Sequence, residues 1–128
     1  MNPDHLLRLL AAALAKHEID QDNDWYEGSA TYFAALHKEL QEVAEEIESG
    51  SSCRLEDELG DVLWDYLNLL LGLQTEGRID AAHVVRRAMD KYEERIEAIR
   101  SGEGWARVKE RQRRRLADEH RRQSSPES

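Results

Sequence analysis

Leu6, Leu7, Leu9, Leu10, Ala13 and Leu14 recur at helical intervals, and Asn2 or Asp4 stands where an N-cap is needed. The periodicity predicts a first helix ending near His17. Residues 18–28, rich in Asp, Asn and Gly, read as a loop. A second helix is predicted from near Ser29, whose hydroxyl can cap, to about Glu48. Phe33, Leu36, Leu40, Val43 and Ile47 form its expected core stripe. Ser49-Gly50-Ser51-Ser52 breaks the chain. The third predicted helix, from about residue 54 to 74, is apolar on nearly every side, from Leu55 to Leu73. A helix without a polar face must be surrounded, which a chain of 128 residues can hardly do alone. Part of it is therefore expected in a subunit interface. Asp80 caps a fourth helix, from Ala81 to about Arg100, and a fifth runs from Trp105 to about His120 before a frayed tail over residues 123–128. No strand signal and no internal repeat interrupts this pattern. The expected fold class is all-α, a four- to five-helix bundle.

Composition narrows the setting. Hydrophobic residues make up 40% and charged residues 35%, which suits a helix-rich protein in water. The single Cys53 excludes an internal disulfide framework and fits a reducing compartment. The first residues lack the basic start of a signal peptide, and the apolar run over residues 6–14 is too short to span a bilayer. A cytoplasmic location is expected, with no membrane partner.

The net charge of −9 is unevenly spread. Before Trp105 there are 23 acidic and 10 basic side chains, whereas residues 105–122 carry eight basic and three acidic ones. The basic segment could touch nucleic acid, but nothing aromatic interleaves with its arginines as a stacking platform requires. A solvated helix balancing the acidic body is the expected role, and nucleic acid is not the expected partner.

Two acidic pairs carry the chemistry. Glu39 and Glu42, and then Glu58 and Asp61, lie three residues apart, so each pair places two carboxylates on one helical face. Like charges so close repel unless a cation sits between them. Glu46 extends the first pair and Asp65 the second, both at i+7. Asp61 stands between Leu59 and the run Val62-Leu63-Trp64, where an unpaired carboxylate needs a cation, a basic partner or a proton. Lys91 and Arg95 could supply structural ion pairs instead. Four carboxylates on neighbouring helices would make the all-oxygen environment that Mg²⁺ or Mn²⁺ prefers. Asn68, in the same apolar helix, could read a base edge or pair with its own copy across a dimer. His17 and His37 lack the partner spacing of a zinc motif.

The stretch from Leu36 to Ile47, followed by Leu55-Glu-Asp-Glu58-Leu-Gly-Asp61-Val-Leu-Trp-Asp, resembles the MazG family of nucleoside triphosphate pyrophosphohydrolases. That family's signature is E-x-x-E, a spacer, then E-x-x-D; here the spacer is residues 43–57. Ala88-Met-Asp-Lys91-Tyr-Glu-Glu-Arg95 resembles a further family helix, and Gly104-Trp105-Ala-Arg-Val-Lys109 is loosely similar to a later segment. Many members carry Asn immediately before the lysine, where this chain has Asp90. The resemblance implies that Glu39, Glu42, Glu58 and Asp61 hold Mg²⁺ and that Lys91 contacts the triphosphate; by its chemistry Arg95 could join Lys91 at the outer phosphates with a bidentate fork. Glu42 is the candidate catalytic carboxylate, with Glu46, at the edge of the cluster, as an extra ligand or a general base; Trp25 either contacts the base, as a tryptophan in a similar place does in some members, or closes over the end of the bundle. The resemblance places the active site between helices two, three and four, and implies a homodimer or homotetramer. The expected reaction converts nucleoside triphosphates, deoxy or non-standard ones above all, to monophosphate and pyrophosphate. Residues 1–104 are expected to form the catalytic domain and residues 105–128 a basic helix and tail. Two alternatives stand beside it: a phosphoribosyl-ATP pyrophosphohydrolase-like enzyme, or a non-catalytic helical interaction module whose tail touches nucleic acid.

Overall fold

A computed structural model describes residues 1–124. They form five helices: α1 (Pro3–Gln21), α2 (Ser29–Ser49), α3 (Ser52–Thr75), α4 (Ala81–Arg100) and α5 (Trp105–Ser124). No strand occurs among the described residues, so the chain is all-α. No helix among them is long and apolar enough to cross a membrane. The helices fall into two compact units, Met1–Ala81 and a second beginning at Ala82.

In the first unit Asn2 caps α1, its side-chain oxygen accepting from the Asp4 amide at 2.9 Å. The helix then runs a turn beyond its expected end at His17. The reason is Asp20. Its side chain is fully buried, bonded to Lys16 one turn earlier and accepting from the Tyr32 hydroxyl at 2.6 Å, so a polar residue belongs to the interior here.

Helix α2 does not cap itself with Ser29. Ser29 is already its first helical residue, and the N-cap Gly28 offers no side chain. The exposed amides are met instead by the Glu76 carboxylate from the far end of α3, which accepts from Ser29 N at 2.6 Å and Ser29 Oγ at 2.9 Å. Gly28 is required twice over: its φ is +77°, and a Cβ there would lie 2.9 Å from Glu76 Oε2.

Helix α3 packs against both α1 and α2. It runs antiparallel to α2: Glu58 and Asp61 near its start meet Glu39, while Gly72 near its end meets Ser29. At Gly72 the fit is close, since a Cβ would come within 3.0 Å of the Tyr26 hydroxyl and 3.1 Å of the Ser29 backbone. Leu69, Leu70 and Leu71 are buried, each stabilising by about 1.5–3 kcal/mol relative to exposure. Further toward its start, Leu59, Leu63 and Tyr66 remain partly exposed.

The expected core stripe of α2 is offset from the real one. Phe33, Leu40 and Ile47 stand 54%, 50% and 60% exposed; Val43 of that stripe is buried as expected, and Tyr32, outside it, is buried as well. The face toward α3 runs through Tyr32, Glu39 and Val43. It contains a carboxylate, and that is why hydrophobicity alone points to the wrong stripe.

The second unit is held by polar cross-links. Helices α4 and α5 run antiparallel, with Arg87 bonded to Glu119 and Arg95 Nε donating to Gln112 Oε1 at 2.8 Å. Gln112 also donates to the Lys91 carbonyl and to Glu94. Arg111 and Arg115 converge on Glu94, whose carboxyl is held down to about 2 by hydrogen bonds from Arg115, then Gln112 and Arg111. Arg113 and Arg114 bond Glu110 within α5. Much of the basic charge of α5 is thus met by carboxylates of its own unit. Helix α5 extends to Ser124, and the rest of the tail expected to fray lies outside the described residues.

Candidate functional site

The offset stripe of α2 is what makes a site. Because Glu39 lies on the face packed against α3, it meets the matching face of that helix, where Glu58 and Asp61 stand three residues apart. One carboxylate oxygen from each lies within 4.8 Å of the others. Glu39 Oε2 and Glu58 Oε2 are buried without a hydrogen-bond partner among the described residues. An acceptor shielded from water without a partner is unfavourable, and more so when it is charged.

The electrostatics register that cost. Burial, then the adjoining carboxyls of Glu58 and Glu42, push Glu39 up to about 8. Glu58 is pulled down by its contact with Glu39, but desolvation and the charges of Glu42 and Asp61 outweigh this and leave it raised. Glu42 therefore stands beside the cluster as a fourth carboxylate, outside the three that converge. Glu46 is turned away: its Oε2 accepts from Ser49 Oγ at 2.8 Å at the end of α2. No His or Cys joins the group among the described residues. Oxygen-only donors, charged and lacking partners, fit a hard divalent cation.

Trp25 belongs to the same unit. It is half-exposed, with its ring centroid 6.2 Å from that of Tyr26 and 6.0 Å from that of Tyr32. Lys16 Nζ lies 4.4 Å from the ring centre, itself held by Asp20 and by Tyr32 Oη at 3.2 Å. The fully buried Asp20 thus fixes Lys16 and Tyr32, and through them the tryptophan. Periodicity could not find this anchor, because Asp20 lies in a segment whose composition reads as loop; the i, i+4 spacing of Lys16 and Asp20 was the available signal.

Asp65 and Asn68 are two further buried polar groups of α3, 7% and 0% exposed. Asp65 Oδ2 and Asn68 Oδ1 have no hydrogen-bond partner among the described residues. Burial, then the charge of Asp61, raises the Asp65 carboxyl.

Lys91 and Arg95 stand on α4, in the second unit. Lys91 is exposed, its Nζ 5.7 Å from the Tyr92 ring centre. Arg95 is buried and committed: besides its bond to Gln112, its guanidinium stacks 5.1 Å from the Tyr92 ring centre and 5.0 Å from that of Trp105.

No curated protein and no solved structure matches the chain. A family model does: that of the MazG nucleotide pyrophosphohydrolase domain matches residues 27–99, more than half of the chain, spanning α2, α3 and nearly all of α4. The match takes in both acidic pairs, and the chain belongs to the MazG nucleotide pyrophosphohydrolase family.

Proposed function

We propose that this protein hydrolyses nucleoside triphosphates to monophosphate and pyrophosphate with Mg²⁺, or Mn²⁺ in its place. Deoxy or non-standard nucleotides are the proposed substrates, and clearing the nucleotide pool the proposed role. The observation that carries this reading is the convergence of Glu39, Glu58 and Asp61 within 4.8 Å, two of them with buried, unpartnered oxygens.

Glu39, Glu58 and Asp61, with Glu42 beside them, are the proposed metal ligands. A divalent cation bound there supplies neutralisation of phosphate charge and a water acidified for attack. Without it the cluster would repel a triphosphate, so the carboxylates make substrate binding conditional on metal. Glu42 is the proposed acceptor of the water's proton. Glu46, tied to Ser49, is a second candidate for that role. Lys91 is the proposed cation for the outer phosphates; Arg95 could join it only by leaving Gln112. Trp25 offers an aromatic face to the base. The half-exposed Leu59, Leu63 and Tyr66 of α3 suit an interface between copies, and we propose a homodimer or homotetramer in the cytoplasm, where the exposed Cys53 stays reduced.

The test is pyrophosphate release from a panel of canonical and modified nucleotides with Mg²⁺, together with the Asp61→Ala variant. Asp61→Ala should lose at least about a hundredfold in kcat. Absence of release from every nucleotide, with no rise in melting temperature on adding Mg²⁺, would sink the reading.

A further inference from the structure

Five residues of α3 share one face at helical spacing: Glu58, Asp61, Asp65, Asn68 and Gly72. The two ends of that line are fixed against α2. Glu58 and Asp61 meet Glu39, and Gly72 meets Ser29 and Tyr26. Asp65 and Asn68 lie between these anchors, so their side chains enter the same seam, and the Asp65 charge is felt by the Tyr32 hydroxyl. Both are more than nine-tenths buried, and each turns an oxygen without a partner into the seam.

The Asn68 amide is oriented. Its Nδ2 donates to the Trp64 carbonyl at 3.0 Å, so turning it over would set oxygen against oxygen. Asn68 Oδ1 is therefore held as an acceptor. At i, i+3 spacing the two residues have Cβ atoms about 5–6 Å apart, close enough for one amino nitrogen to reach both oxygens. From the middle of the carboxylate pair to this pair the helix rises about 10 Å. A nucleotide needs a span of that order between its metal-bridged phosphates and its base. Tyr32, and beyond it the half-exposed Trp25, supply an aromatic wall at the same end.

We infer that Asp65 and Asn68 form an acceptor pair that selects nucleobases bearing an exocyclic amine, such as cytosine or adenine, and rejects their carbonyl counterparts. The inference rests on the reading of the acidic cluster as a nucleotide site. An amine gives each oxygen the hydrogen it lacks. A carbonyl at the same ring position presents a third acceptor to two others, leaving all three unpaired.

The experiment compares pairs in which the exocyclic amine becomes a carbonyl and the adjacent ring nitrogen gains a hydrogen: dCTP against dUTP, and dATP against dITP. Wild type should favour the amine member of each pair by at least about tenfold in kcat/KM. The preference should fall toward unity in Asn68→Leu, and in Asp65→Asn, which presents a donor to the carbonyl; the second variant carries the test if the first does not fold. Equal use of both members by wild type, or a preference that survives in the variants, overturns the inference. So does Asn68→Leu losing both members equally while the oligomer mass shifts, which would make Asn68 an interface residue. Thermal shift with Mg²⁺ and α,β-imido dCTP or dUTP separates this claim from the catalytic one. Greater stabilisation by the amine analogue without turnover of dCTP would sustain the acceptor pair and remove the hydrolase; stabilisation by neither analogue overturns both.

Discussion

Glu39 is a residue whose environment works against its charge. Its carboxyl, raised to about 8 from the ordinary value of 4.5, holds a proton in the folded metal-free protein over a range where the unfolded chain has released it. The native state then binds more protons than the unfolded state between those values, so stability falls as pH rises through that window. Melts in EDTA should show a lower midpoint at pH 8.5 than at pH 6, and Glu39→Gln should flatten the difference. An unchanged midpoint in wild type would mean that the cluster is already relieved by other means. Asp20 is the opposite case, a buried carboxylate with two partners. Tyr32→Phe takes away its 2.6 Å hydrogen bond and should cost about 1–3 kcal/mol in urea unfolding, whereas a loss near zero would show that Lys16 alone satisfies it.

At the scale of the elements, each helix was visible in the sequence, but not always what holds its ends or which side it buries. Asn2 and Ser51 cap by local rules, their side chains accepting from Asp4 N and Arg54 N, and a local pattern can be read locally. The cap of α2 comes from Glu76, which stands 47 residues away from Ser29 and acts only because α3 runs antiparallel. The acidic pairs were legible through their spacing, since i, i+3 fixes a shared face whatever the fold. Asp65 was legible as the i+7 extension of the second pair and Asn68 as a polar residue in an apolar helix, but their missing partners are a property of packing. Glu76→Ala should therefore destabilise α2, although it is not a residue of that helix. Hydrogen exchange at the first amides of α2 would report it. Gly28→Ala should cost more, because the left-handed φ and the 2.9 Å approach to Glu76 oppose the same methyl.

For the whole molecule, the two units are held by different forces, and solvent conditions should tell them apart. The first buries leucines of α3 and a polar network centred on the fully buried Asp20. The second relies on Glu94, Glu103 and Glu119 meeting arginines, with side chains of these pairs 26–60% exposed, while Val85, Met89, Tyr92, Ile96 and Ile99 of α4 are all about half-exposed or more. At 1 M salt the screening length shrinks to about 3 Å, which weakens exposed pairs and leaves apolar burial intact. Acid acts on the same pairs. Glu94 is depressed to about 2, so its contribution is present above its ordinary value of 4.5 and is lost as pH falls toward 2. Hydrogen exchange should therefore show α5 opening faster at 1 M NaCl and at pH 3, with α3 little changed by the salt. Mg²⁺ should do the reverse, slowing exchange in α2 and α3 around Glu39 and Glu58. If salt speeds α3 as much as α5, the stability of the first unit depends on charged pairs too, and the two units do not differ in the forces that hold them.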